Sequence, residues 1–278
     1  MTQLTVTTQG TDLSLEVYDS GGDGRPVVLI HGWPLNHEAW SEQITELERN
    51  GYRVVAYDRR GFGSSDKPSE GYEYDTLSDD LAGVLEGLEL NDVTLVGFSM
   101  GGGEVARYVS RHGEDRLHSI VFASAVPPFM LQTDDNPDGA LDRGSVDEMK
   151  DGVKSGREEF FEEFTTGFFT AGDEVKVSDE QLETARAQCA QADETAAVEC
   201  IEAFSATDFR DDLTHVTVPT LVLHGAADGI VPFENSGQLT SQAVENARVH
   251  VIDDAPHGLT ASHAREFNRA LVAFLEEE

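Results

Sequence analysis

A chain of 278 residues with 53 acidic side chains against 19 basic ones carries a formal net charge of −34, and such a surface repels nucleic acid and anionic membranes alike. Hydrophobic residues make up 39% of it, with 14 Phe, enough for a sizeable core, yet no stretch approaches the ~20 apolar residues of a membrane span. Two cysteines, Cys189 and Cys200, are too few for a disulfide scaffold or a thiolate metal site and read as small core hydrophobes.

Length alone leaves one large domain or two small ones open. The acids are spread through nearly every polar segment, and lysine occurs only as Lys67, Lys150, Lys154 and Lys176. That spread suits solubility in concentrated salt, where ions screen a self-repulsion that dilute buffer would not. The expectation is a halophile's cytoplasmic protein, since the opening residues show neither a basic n-region nor an apolar h-region.

In chain order, Leu4–Thr8 and Leu13–Tyr18 alternate apolar and polar residues around Gly10-Thr11-Asp12, which predicts an antiparallel hairpin with one solvated face. Past the glycine-rich loop 21–24, Val27–Ile30 is a continuous apolar run of the kind buried in a parallel sheet. It opens onto His31-Gly32-Trp33-Pro34. Trp40, Ile44 and Leu47 at helical spacing, with Gly51 beyond, predict a helix. Arg53–Tyr57 is the next strand and leads into the turn-rich Asp58–Ser65, after which Leu77, Leu81, Val84, Leu85 and Leu88 mark an amphipathic helix. Val93–Val96 reads as a buried strand, the pattern turns helical from about Gly101 to Gly113, and Ser119–Ala123 is another strand. Strand and helix thus alternate over 27–123, which argues for a doubly wound, mostly parallel sheet of the α/β class.

The rhythm breaks at Pro127-Pro128. From there to about Asp212 no strand is legible, only a polar loop at 132–144 and helical segments. One of these opens on a Ser178/Gln181 capping box, and another carries Phe160, Phe164 and Phe168 on a single stripe. A helical insertion after a strand end reads as a cap, so the expected division is a core of 1–126 and 213–278 with a cap of 127–212. The sheet resumes at Thr220–Leu223 and Arg248–Ile252, and a last helix carries Phe267, Leu271 and Phe274.

Between the strand at 93–96 and its following helix lies Gly97-Phe98-Ser99-Met100-Gly101, a Gly-x-Ser-x-Gly pattern in strand–turn–helix context. A serine at the apex of such a turn tolerates its strained backbone only where the residues two before and two after lack a Cβ. Its Oγ is then exposed, and the N–H of Met100 is aimed at any oxyanion formed there. Gly102 and Gly103 read as close helix–strand packing. A serine nucleophile needs a base, and the base an orienting carboxylate. Of nine histidines, His257 is the best placed, in the loop Ala255-Pro256-His257-Gly258 between a strand and a helix. For the acid, Asp228 lies just past an earlier strand end, whereas Asp253 and Asp254 precede His257 too closely to reach its far ring nitrogen easily. The second oxyanion donor belongs to the loop after an earlier strand: Gly32 lets the backbone turn, Trp33 presents its N–H, and Pro34 fixes the chain.

Together His31-Gly32-Trp33-Pro34, DRRGFGSS at 58–65, GFSMGGGEVARY at 97–108, Ala125-Val126-Pro127-Pro128, AFSATDF at 203–209 and APHGLT at 255–260 resemble the cofactor-free bacterial haloperoxidases (non-haem chloroperoxidases) and aryl esterases of the α/β-hydrolase superfamily. The resemblance runs nearly the whole length and is weakest at 132–200. It implies an α/β-hydrolase fold, with Ser99 as nucleophile, His257 as base, Asp228 as its partner, and the N–H groups of Trp33 and Met100 as the oxyanion hole. It also implies an apolar pocket, matched here by Val126, Met130, Phe164, Phe168, Ile230 and Phe233, with no metal or other cofactor. The implied partners are a small carboxylic ester or acid plus peroxide, and a homo-oligomer is left open. The expected reaction is acyl transfer through Ser99 to water, or to peroxide to give a peracid that oxidises halide. A lactonase-type specificity and a non-turnover ligand receptor on the same scaffold stay open. A dehalogenase or epoxide hydrolase does not fit, because those carry a carboxylate at the elbow.

Overall fold

The computed structural model describes residues 1–8 and 10–277; Gln9, in the predicted hairpin loop, and Glu278, which ends the predicted core range, lie outside the described residues. Strands β1 (Thr2–Thr8) and β2 (Thr11–Asp19) form the antiparallel hairpin, with Val6, Leu13, Leu15 and Val17 on the buried face. The alternation written in the sequence is thus the alternation of burial. There follow β3 (Pro26–Ile30), α1 (Ser41–Arg49), β4 (Arg53–Tyr57), α2 (Tyr74–Gly87), β5 (Val93–Phe98), α3 (Met100–His112) and β6 (Leu117–Ala123). Trp40 falls in a 3-10 turn just before α1 and not in the helix itself. Strand β5 runs on through Gly97 to Phe98, and α3 begins at Met100, so the bend between them is a single residue wide.

The next stretch holds α4 (Arg143–Phe168), the short strands β7 (Thr170–Ala171) and β8 (Glu174–Val175), α5 (Asp179–Gln191), α6 (Glu194–Ala206) and α7 (Arg210–Leu213). The β7–β8 ladder corrects the expectation of a strandless insertion; two residues a side are too few to write an alternation into the sequence. Both halves of the Ser178/Gln181 capping box are made. Helix α4 is bent at Gly156, whose backbone (φ −154°, ψ 47°) is not helical. The chain closes with β9 (Thr220–Gly225), α8 (Gly237–Ala243), β10 (Ala247–Ile252), α9 (Leu259–Ser262) and α10 (Ala264–Glu277).

One eight-stranded sheet runs in the order β1-β2-β4-β3-β5-β6-β9-β10. From β4 to β10 every neighbouring pair is parallel, and of the eight strands β2 alone runs against the others. Helices α2, α3, α7 and α8 pack in one chain of contacts and α1, α9 and α10 in another, the two layers of a doubly wound sheet. All six residues of β5 and of β9 are buried, as continuous apolar runs in a central parallel sheet require. The arrangement is an α/β-hydrolase fold with a helical cap. Parallel strands place the carboxyl ends of β3, β5, β9 and β10 along one sheet edge, where ligands bind in open α/β sheets. Among the described residues no helix is long and apolar enough to cross a membrane.

Candidate active site

Ser99 stands alone between β5 and α3 at φ 54°, ψ −119°, a left-handed conformation that costs on the order of 1–3 kcal/mol in a residue with a side chain. Its surroundings hold it there. The Ser99 N–H donates to the Ala123 carbonyl (2.9 Å), and its own carbonyl accepts from Val126 (3.2 Å) and Gly102 (3.0 Å). The flanking glycines are required by contact: a Cβ at Gly97 would lie 2.5 Å from the Gly101 carbonyl oxygen, and one at Gly101 would lie 2.5 Å from that of Ile30. Gly102 packs on Ala125 beyond β6, as expected of helix–strand packing, but Gly103 faces the rings of Tyr74 and Phe209 on the α2 and α7 side.

Ser99, His257 and Asp228 meet, although 129 and 158 positions of sequence separate Ser99 from the other two. His257 Nε2 lies 2.9 Å from Ser99 Oγ, and His257 Nδ1 donates to Asp228 Oδ2 at 2.7 Å. With Nδ1 carrying the proton, Nε2 is an acceptor for the serine hydroxyl. The other Asp228 oxygen, Oδ1, accepts from the N–H groups of Ile230 (3.0 Å) and Val231 (2.8 Å). Burial raises the pKa of this carboxyl, but the charge and hydrogen bond of His257, with His224 and the Val231 N–H, hold it below the usual carboxylate range. His224, near the end of β9, is buried; its Nε2 donates to the Val231 carbonyl at 2.8 Å and so closes the loop that carries Asp228.

The His257 ring packs against two others, Phe98 (centroids 5.1 Å apart) and Phe168 (5.0 Å), which also meet each other at 5.9 Å. The Gly258 N–H donates to the Phe168 carbonyl at 2.8 Å, so the last turn of α4 fixes the histidine loop directly. Gly32 packs onto the elbow: a Cβ there would sit 2.9 Å from the Phe98 ring and 3.0 Å from Ser99 Cβ. That brings the Gly32–Trp33 peptide beside Ser99. Met100 opens α3, where a backbone N–H has no intrahelical acceptor. The Trp33 side chain faces the cap, its Nε1 donating to the Ala197 carbonyl (3.0 Å) and its ring ringed by Phe160, Phe161, Phe164 and Phe204.

Beside Ser99 and His257 is a cavity of about 50 Å³ whose further lining is apolar. Of the six positions expected there, Val126, Met130, Phe164 and Ile230 line it together with Trp33. Phe168 and Phe233 do not. Phe168 is buried one turn beyond Phe164, where the helix has carried it off Trp33 and onto His257. Phe233 packs against His224 on the far side of the Asp228 loop (5.4 Å between rings). Sequence reasoning missed Leu141, Met149, Phe204 and Val231 in the lining. Phe204 lies within the AFSATDF motif and Val231 beside the expected Ile230, whereas Leu141 and Met149 lie in a polar stretch that gives no signal. Ser99, Asp228 and His257 are each at most 7% exposed, so the three side chains are largely shielded from bulk water. Among the described residues no group of three or more His, Cys, Asp or Glu side chains is arranged to hold a metal ion.

The family profile described as the alpha/beta hydrolase fold matches residues 25–264. A non-heme chloroperoxidase of Kitasatospora aureofaciens is 44% identical over 94% of this chain and 95% of its own. A bifunctional esterase/perhydrolase of Acinetobacter calcoaceticus is 37% identical over 97% of this chain and 98% of its own. The crystal structure of a bromoperoxidase from Bacillus anthracis superposes with a TM-score of 0.95 at 50% identity, covering 99% of this chain and 100% of that one. With a shared fold, near-complete coverage and identities well above 30%, the chain belongs to the α/β-hydrolase superfamily and, within it, to the family of the non-heme haloperoxidases.

Proposed function

We propose that the chain is a serine esterase of small, uncharged carboxylic esters that turns perhydrolase and haloperoxidase when peroxide and halide are present. His257 Nε2 takes the Ser99 proton as Oγ attacks the ester carbonyl, and Asp228 steadies the imidazolium that results. The oxyanion is met by the N–H groups of Trp33 and Met100; losing one such donor typically costs roughly 3–4 kcal/mol of barrier. The alcohol leaves with the proton from His257. Water, deprotonated by the same imidazole, then releases the acid and restores Ser99. When hydrogen peroxide attacks instead, the released product is a peracid, which passes one oxygen to a halide ion in solution to give hypohalous acid and the carboxylate. The cap, residues 127–212 in this reading, supplies most of the apolar wall against which the acyl group is held. The acid excess supports a place in a salt-rich cytoplasm.

The observation that carries the reading is the unbroken hydrogen-bonded line from Ser99 Oγ through His257 to Asp228, 2.9 and 2.7 Å long. Ser99→Ala removes its first atom. Hydrolysis of p-nitrophenyl acetate should fall by roughly 10⁶-fold, and peroxide-dependent bromination of a dye should fall with it. If either activity survives that substitution at wild-type rate, the reading is wrong.

A further inference from the structure

A fully buried polar cluster lies behind the oxyanion loop, and the mechanism above makes no use of it. His31, Arg59, Glu104 and Tyr57 are each no more than 1% exposed. Glu104 sits on α3, one turn beyond Met100, and accepts from Arg59 Nε and from the Tyr57 hydroxyl (2.8 Å). Arg59 Nη2 donates to the His31 carbonyl at 2.7 Å, and the Arg59 backbone N–H donates to His31 Nε2 at 3.0 Å. A ring nitrogen that accepts from a backbone N–H carries no proton, so the single proton of a neutral imidazole is on Nδ1. From there it is donated to the Gly32 carbonyl, 2.9 Å away. Arg59 Nη1, at 3.3 Å from the same Nδ1, is then a neighbouring donor and not a bonded one. Burial, with the Arg59 charge beside it, pushes the His31 pKa down to about 3, so the ring is neutral wherever the enzyme would work.

The consequence follows from the planarity of the peptide group. In the trans peptide joining Gly32 to Trp33, the carbonyl and the N–H point in opposite directions. The Gly32 carbonyl is fixed from behind by His31 Nδ1–H and by the Leu35 N–H (3.1 Å). Its partner, the Trp33 N–H, is thereby turned to the Ser99 side. We propose that His31 is a positioning residue for the oxyanion hole, aiming the Trp33 N–H through the Gly32 carbonyl while Arg59 and Glu104 tie His31 itself to the helix that supplies the Met100 N–H. The two donors are held at one separation by a single cluster, although they come from different loops. This rests on the reading of Trp33 and Met100 as the oxyanion donors.

The test is His31→Phe, which keeps a flat ring and removes both ring nitrogens. Its kcat for p-nitrophenyl acetate should fall by roughly 10- to 100-fold with KM unchanged, the loss expected of a misaimed donor. Phenylboronic acid, which adds to the serine as a tetrahedral adduct, should bind more weakly by the same factor, while inhibition by acetanilide, a flat ground-state amide, should not move. A merely structural histidine would lower Tm and leave the boronic acid and acetanilide constants in their wild-type ratio. The second measurement needs no variant: long-range proton–nitrogen correlation on the labelled native chain should find His31 protonated at Nδ1. A proton on Nε2, or a folded His31→Phe with wild-type kcat, overturns the proposal; should the variant fail to fold, the tautomer decides it. Ser99→Ala run alongside separates the two failures, because full activity there sinks the serine mechanism itself, whereas a dead Ser99→Ala beside a fully active His31→Phe sinks only the positioning role.

Discussion

Asp228 divides its two oxygens between different duties: Oδ1 is tied to the N–H groups of its own loop, and Oδ2 is left for His257. An asparagine that keeps the loop bonds must spend its one carbonyl oxygen on them and present its amide to Nδ1. With the amide facing the ring, His257 is driven to the tautomer with its proton on Nε2, where it cannot accept from Ser99. Asp228→Asn should therefore lose about 10³- to 10⁴-fold in kcat with little change in KM, read by steady-state hydrolysis of p-nitrophenyl acetate. A loss below tenfold would mean that His257 keeps its orientation without the carboxylate. His31 makes a second residue-scale prediction, this one about stability. It is a base whose folded pKa, about 3, lies below the ~6.5 of an unfolded histidine. The unfolded chain therefore binds a proton that the native one refuses. The stability His31 provides is complete above about pH 6.5 and drains away as pH falls toward 3, by up to about 1.4 kcal/mol per pH unit. Urea unfolding at pH 5.5 and 4.5 should show a pH slope smaller by about one proton in His31→Asn than in the wild type. Equal slopes would place a charged ring in the native cluster.

At the scale of elements, what the sequence made legible was whatever depends on one segment at a time. Strand runs, the Gly-x-Ser-x-Gly bend and the Ser178 capping box are local and were readable. So were Asp228 and His257, because parallel strands bring their carboxyl ends together whatever the loops do. The stripe of Phe160, Phe164 and Phe168 was readable as a stripe but not in its destinations. Phe160 and Phe164 meet Trp33 from the β3 loop, and Phe168 meets His257 from the β10 loop; which loop waits under each turn of α4 is a tertiary fact. The buried cluster around Arg59 was hidden for the opposite reason. A charged residue normally faces water, and only the elbow helix packed on both sides reveals that Glu104 does not. Phe204 of α6 gives the prediction that belongs here. Its ring closes one wall of a cavity of about 50 Å³, and in the proposed reaction it would limit how long an acyl chain can be. Phe204→Ala should let a butyryl group bury its two extra methylenes, worth about 1.6 kcal/mol together. The kcat/KM ratio of p-nitrophenyl butyrate to acetate should then rise by about 15-fold, measured with both esters on both proteins. An unchanged ratio would show that some other wall sets the acyl length.

For the whole molecule the governing number is the excess of 53 acids over 19 basic residues. The cations present are heavily used: Arg59 and Arg60 in buried pairs, Arg107 and Arg111 bridging α2, α3 and α7, Arg210 tying Asp135 to Asp208, Lys176 joining Glu174 to Asp254. Even if every basic side chain were paired, 34 negative charges would have no partner. Compacting them onto one surface raises their mutual repulsion relative to the unfolded chain, which can spread them apart. Salt removes that penalty in a characteristic range. At 10 mM the screening length is about 30 Å, comparable to the domain, and by 1 M it is about 3 Å, shorter than the spacing between most surface charges. Tm should accordingly climb from 10 mM to 1 M KCl by on the order of 10 °C, a few kcal/mol for a chain of this size. If screening is the cause, most of the rise comes below about 0.5 M and depends on ionic strength alone, so that NaCl and KCl superpose. A rise that continues undiminished into molar salt, and is steeper in sulfate than in chloride at equal ionic strength, would instead assign the stabilisation to exclusion of the salt from the protein surface. A Tm that does not change over the whole range would mean the acids are spaced widely enough to ignore one another, and the inference of adaptation to concentrated salt would fall with it.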